Sequence, residues 1–322
     1  MNAEGSIIEW LLAGDVSIQY QTHRDLLGSG SSVLMPLQSR IAEEGWGARF
    51  LACRSSRGHW GKKYYQPKWT CTHYTLLDLK NLGLSRDNQA VKDTLERVFP
   101  AEKGEDGGIN PFVTVKDSDV CLNGMALSVA AYFGVSENDL LSVVDFILSQ
   151  AMEDGGFNCH SNRGGARHSS LHTTLSVLEG FLAYREEGYT YRLPEIKEAE
   201  ERGREFILQH RLYRSDKTGA VISKKFLPLF YPARWHYDIL RALDYFQKAG
   251  APYDDRMQDA MVEIYKKRSP DGHWLLPAGH KGKLHFAMEE PGRPSRWNTL
   301  RALRVLKHYE PGFQSADLRK RI

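Results

Sequence analysis

The chain has 322 residues, of which 41% are apolar and 11% aromatic, a composition that excludes intrinsic disorder. Its 43 basic residues stand against 40 acidic ones, and this balance argues against a broad nucleic-acid footprint. The longest nearly uncharged stretch, 122–135, is too short to span a bilayer, and residues 1–15 lack the basic start of a secretion leader. Cys53, Cys71, Cys121 and Cys159 are scattered with no CxxC pair, which suits a reducing cytoplasm.

Taken in chain order, 7–12 and 16–27 read as a first helix pair. A charged amphipathic stretch over 35–53 leads to the turn Gly58-His59-Trp60 and an apolar helix around 75–79. The same succession recurs: 86–98, then Gly107-Gly108-Ile109, then an apolar helix around 125–127. Next comes 137–151, opened by Ser136 and Asp139 in capping-box spacing, followed by Gly155-Gly156-Phe157 and a helix around 174–178. The stretch 195–210 precedes a degenerate turn, Thr218-Gly219-Ala220, and a helix around 239–243. The last unit is 255–268, Gly272-His273-Trp274 and a helix around 299–303. Turns about 50 residues apart mark a repeat architecture.

Stretches before the turns carry one wet face, and those after them are apolar on most sides. The pattern therefore predicts an all-α, single-domain (α/α)6 toroid over 1–322: six helix-pair repeats in two concentric rings around a central cavity. Leu76, Leu127, Leu175, Leu240 and Leu300 are expected between the rings. Strand content should be negligible. The glycines supply tight reversals, and Trp60, Phe157 and Trp274 are expected to fill seams.

With the repeats aligned, the Gly-Gly-aromatic turn and the apolar helix after it resemble the terpenoid cyclase and protein prenyltransferase superfamily. The resemblance is closest in Lys116-Asp117-Ser118-Asp119-Val120-Cys121 and in His172-Thr173. It implies that Lys116 binds diphosphate and that Asp119, Cys121 and His172 ligate Zn2+. Carboxylate, thiolate and imidazole make a coherent three-ligand site with one open position. The Asp117–Asp119 pair is also similar to the acid motif of class II cyclases, which implies a proton-donating role. The residues also admit plainer roles: Asp119 as a helix N-cap, Cys121 as a small core residue, His172 as a partner for a loop carbonyl.

Topology gathers the starts of the inner helices and the loops before them at one mouth of the ring. That rim gathers His73, Tyr74, Asn123, His168, His172, Arg234, Trp235, His236, Tyr237, Asp238, Trp297 and Asn298. Tyr74, Trp235 and Trp297 are candidate substrate-stacking groups, and His236 and Tyr237 candidate acid-base groups. Arg163 and Arg167, in a glycine-bearing basic loop, could grip an anion such as diphosphate. Three functions fit. One is an enzyme acting on an isoprenoid or other hydrophobic or diphosphate-bearing substrate, with zinc assistance. Another is a carbohydrate-active lyase or glycoside hydrolase, and the third is a toroid that binds a ligand without catalysis. The sequence does not say whether a partner like a prenyltransferase α-subunit exists.

Overall fold

The computed structural model describes residues 3–112 and 114–310, so the expected span of 1–322 reaches beyond them. Helices dominate: α1 (Ala3–Leu12), α2 (Val16–Gln21) running on as a π-helical turn (Thr22–Leu27), α3 (Ser31–Arg40), α4 (Gly45–Ala52), α5 (Thr72–Leu82), α6 (Gln89–Ala101) and α7 (Val120–Tyr132). Then follow α8 (Glu137–Ser149), the short α9 (Ser161–Gly164), α10 (Leu171–Glu186), α11 (Leu193–Gln209), α12 (Ile239–Lys248), α13 (Gln258–Lys266) and α14 (Arg296–Tyr309). The one named sheet among the described residues pairs Trp274–Leu275 with Pro294–Ser295.

Two kinds of helix alternate, as the apolar pattern requires. In α7 every residue from Leu122 to Ala131 is buried, whereas α6 buries only a stripe made by Val91, Thr94, Leu95 and Phe99. The all-buried helices pack side by side: α5 on α7, α7 on α10, α10 on α12, α12 on α14, and α14 back on α2. Gln21 Nε2 donates to the Asn81 carbonyl at 2.8 Å and joins α2 to the end of α5. The ring is thereby closed. Leu76, Leu127, Leu175, Leu240 and Leu300 are all fully buried. Truncating any of them to Ala should cost about 2–5 kcal/mol.

One device is repeated at the turns. The first glycine of each lies in the left-handed region, from φ +68° at Gly219 to +95° at Gly155, where a Cβ is disfavoured. The aromatic or isoleucine that follows donates its backbone N–H to a polar side chain early in the next inner helix. Trp60 donates to Thr72 Oγ1 (3.1 Å), Ile109 to Asn123 Oδ1 (2.6 Å), Phe157 to Thr174 Oγ1 (2.9 Å) and Trp274 to Thr299 Oγ1 (3.1 Å). The indole N–H groups of Trp60 and Trp274 also reach back to the Phe50 and Ile264 carbonyls of the preceding outer helices. Each ring is fully buried, which is the seam-filling role expected.

Two expectations change. The stretch 35–53 is two helices, because Asp15 enters between them: its Oδ2 accepts the Trp46 N–H at 2.7 Å and occupies the space a Cβ on Gly45 would need. Ser136 is the N-cap of α8 but makes no capping hydrogen bond. The acid that works at that end is Glu137, which accepts the Thr190 and Tyr191 N–H groups at 2.6 and 2.8 Å.

Candidate functional site

The starts of the inner helices do meet at one mouth, and loops seal it. Trp69, a non-glycine residue at φ +73°, donates its indole N–H to the Lys281 carbonyl at 2.7 Å. His236 is stacked between Trp235 (3.8 Å) and His280 (3.6 Å). Tyr74 and Tyr65 share a hydroxyl hydrogen bond of 2.7 Å, and the buried Tyr237 hydroxyl donates to the Leu212 carbonyl at 2.5 Å. Burial pushes His73 and His236 down to about 3 and His172 to about 4, so these imidazoles are neutral at physiological pH. Tyr74 and Tyr237 are buried in this layer, Trp235 and His236 are half-buried at its surface, and none of the four lines the central cavity.

Beside this layer, the structure brings together part of the expected metal set. Asp119 caps α7 by accepting the Leu122 N–H at 3.0 Å. The same oxygen accepts the thiols of Cys121 (3.0 Å) and Cys159 (3.2 Å), and the three potential ligand atoms lie within 4.8 Å of one another. His172 is not in this group. Its Nδ1 accepts the Tyr237 N–H at 2.8 Å while its ring packs against Trp235 and Phe226. The hydrogen bond with Cys159, burial and the neighbouring Asp119 carboxylate hold the Cys121 thiol well above its usual range.

Cys159 carries no metal-ligand signal in the sequence, because it stands in a loop and not at the start of an inner helix. It lies in the loop two residues past Phe157, fixed by a 3.3 Å bond from its N–H to Thr173 Oγ1. Arg163 closes the outer side of the cluster. It donates to the Asp117 carbonyl (2.7 and 3.1 Å) and to Asp119 Oδ2 (3.3 Å). Asp117 thus contributes its backbone, while Lys116 and Arg167 are exposed on the surface nearby.

A cavity of about 200 Å³ lies elsewhere, mainly between the later turns of the inner helices. Trp297, Tyr231 and Arg234 line it from the side of the sealed mouth, and exposed Arg24 and Asn81 line it at the other end. Basic groups dominate: Arg24, Lys80, Arg234, Arg241, Lys248, Arg301 and Arg304 face Glu179 and Asp244. Arg241 grips Glu179 through Nε and Nη2 (2.9 and 2.6 Å). Arg301 and Arg304 converge on Asp244, and Arg304 also reaches Asp25 at 3.0 Å. Arg234 pairs with the buried Asp78, whose carboxyl burial lifts to about 6 against the pull of that guanidinium.

Lining this cavity, the Lys80 ammonium, the Tyr231 and Tyr245 hydroxyls, the Trp297 indole N–H and the exposed Asn81 amide have no protein hydrogen-bond partner among the described residues. Of the rim residues expected from the sequence, Trp297 and Arg234 line the cavity. The available signal was the presence of Lys80, Glu179, Arg241, Asp244, Arg301 and Arg304 inside otherwise apolar inner helices. Such residues are rarely buried without a partner or a purpose.

No protein-family model matches the sequence, and no curated protein matches it. Among solved structures, a glycosyl hydrolase family 88 protein from Bacteroides vulgatus is similar at a TM-score of 0.51 and 11% identity, covering 95% of this chain and 98% of that one. The type II terpene cyclase MstE from Scytonema is similar at a TM-score of 0.34 and 11% identity, over 84% of this chain and 96% of that one. Identities this low speak to fold alone, and the second score carries no argument. The ring of helices and the first similarity define the class: the chain is an α/α-toroid.

Proposed function

We propose that this chain is a toroid enzyme of the carbohydrate-directed kind, acting in its central cavity on a polar, anion-bearing small molecule such as an acidic sugar. The observation that carries this is the chemistry of the lining. Its unpartnered groups include the Lys80 ammonium, the Trp297 indole N–H and the Tyr231 and Tyr245 hydroxyls, each able to donate, set among guanidinium groups already fixed by Glu179 and Asp244. A ligand rich in acceptors satisfies such donors, and fixed guanidiniums offer a carboxylate prearranged positive charge. An isoprenoid chain in the same space would strip water from Lys80 and the arginines without replacing it. Among the described residues, the aliphatic side chains it would meet along the lining are Leu77, Leu182 and Ala233.

Calorimetric titration tests this reading. Digalacturonate is expected to bind, galactobiose and farnesol are not, and Arg304→Gln should weaken the uronate at least about tenfold, as loss of a charged hydrogen bond does. Farnesol binding without uronate binding would restore the isoprenoid reading.

We further propose Zn2+ at Asp119, Cys121 and Cys159, a donor set of one carboxylate and two thiols that fits tetrahedral zinc with one position open. Arg163 would hold Asp119 in place through Oδ2, leaving Oδ1 for the ion. When bound, zinc supplies a Lewis acid and a site for an activated water or thiol. Metal analysis of the purified chain should find zinc that is lost in Cys121→Ala and Cys159→Ala and kept in His172→Ala and Cys53→Ala. Loss in His172→Ala with retention in Cys159→Ala would return the ligand set expected from the sequence.

A further inference from the structure

Lys80 sits in the last turn of α5 and faces the central cavity. Every carboxylate near it is taken by another cation. Glu179 is held by Arg241 at 2.6 Å, and Glu186 by Lys248 at 3.0 Å. Asp244, also in the lining, is held by Arg301 and Arg304. Among the described residues, the Lys80 ammonium has no hydrogen-bond or ion-pair partner. It is left as an ammonium without a counter-ion, in a confined space shared with Arg241 and Lys248.

We propose that Lys80 is a reactive amine that condenses with anionic carbonyl compounds drawn into the cavity, the open-chain aldehyde form of an acidic sugar being one such compound. This rests on the central cavity being an anion site and adds a covalent step to it. The neutral Nζ lone pair attacks the carbonyl carbon, and a proton passes from Nζ to the former carbonyl oxygen to give a carbinolamine. That oxygen then takes a second proton and leaves as water, so that amine and carbonyl become a protonated imine with no oxidant or reductant involved. The surrounding cations serve twice. They draw in the anionic substituent of the ligand, and they disfavour the ammonium form of Lys80.

Burial, with Lys248 beside it, brings the Lys80 ammonium down to about 8. At pH 7 it then carries roughly two to three hundred times more free amine than an unperturbed lysine. A desolvated lysine next to another cation is a recognised way to make such a nucleophile.

The test is reductive trapping. The full chain is incubated at pH 7 with glyoxylate, a small anionic aldehyde, and cyanoborohydride, and each lysine's modification is followed by peptide mass spectrometry. Lys80 should react at least about tenfold faster than exposed Lys197, should saturate with glyoxylate, and should be protected by inorganic phosphate. Acetaldehyde should show no such preference. Lys80→Arg should abolish the fast, saturable fraction while leaving the circular-dichroism spectrum unchanged. If Lys80 reacts no faster than Lys197, or equally fast with acetaldehyde, the proposal is wrong. Digalacturonate binding with no Lys80 adduct sinks the imine and leaves the anion site. Fast trapping of Lys80 without uronate binding does the reverse.

Discussion

Phe157 offers its backbone N–H to Thr174 Oγ1 inside the fold, at 2.9 Å, and both residues are fully buried. Thr174→Val keeps the shape and removes the acceptor, leaving a buried donor unsatisfied. A loss of about 1–3 kcal/mol is expected in urea unfolding, and an unchanged midpoint would show that the bond is dispensable. His73 supplies a second test. Burial holds it to about 3 against an ordinary 6.5, so on acidification the unfolded chain takes up a proton that the folded chain refuses. Stability then falls as pH drops from about 6.5 toward 3, by about 2 kcal/mol at pH 5 for this residue. His172 and His236, also lowered by burial, act in the same direction. Asp78, lifted to about 6, acts in the opposite one, since its folded carboxyl keeps a proton that the unfolded one releases. His273, His280 and His285 are lowered by burial too, and Glu102, Glu200, Asp238 and Glu289 are raised like Asp78. The ordinary imidazole value lies between pH 5 and 7.5 whereas the ordinary carboxyl values lie below that range. The imidazoles therefore predict a lower urea midpoint at pH 5 than at pH 7.5, and equal or higher midpoints at pH 5 would contradict the burial of these rings.

At the scale of helices, α7 and α10 approach each other closely. A Cβ on Gly180 would lie 2.5 Å from the Gly124 carbonyl oxygen, and one on Gly124 would lie 2.6 Å from the Ser176 carbonyl oxygen. Both obstacles are backbone, so the helices themselves would have to separate. Gly180→Ala should destabilise by about 1–3 kcal/mol or more despite its better helix propensity, and a stabilised variant would show that this contact is loose. The glycines at this crossing left no mark in the sequence, since a glycine inside an apolar run looks like a weak point in a helix. The outer and inner helices were legible because one wet face and burial on all sides leave different patterns, as α6 and α7 show. The break before α4 was not, because it depends on Asp15, thirty residues away in the chain, reaching Trp46.

Across the whole molecule, the ring could be read from five repeated turns, and the place of its chemistry could not. The sequence pointed to the mouth where the inner helices start, because His, Tyr and Trp cluster there. Those aromatics stack on one another and on the loops above them, as His236 does between Trp235 and His280. Charged residues inside the inner helices, such as Arg241, Asp244 and Lys248 along one side of α12, look in the sequence like an ordinary solvent-facing stripe, so their convergence with Lys80 and Arg304 on one cavity was not legible. The Asp119–Cys121 pair was legible because both residues open one helix, whereas Cys159 comes from a separate loop. The account stands or falls on where an acidic sugar binds. A crystal structure of the chain soaked with digalacturonate measures this directly. The account predicts a carboxylate inside the central cavity, within hydrogen-bonding distance of Lys80, Arg241 or Arg304. Sugar bound at the Trp235–His236 mouth or on the outer surface, with that cavity empty, would contradict it.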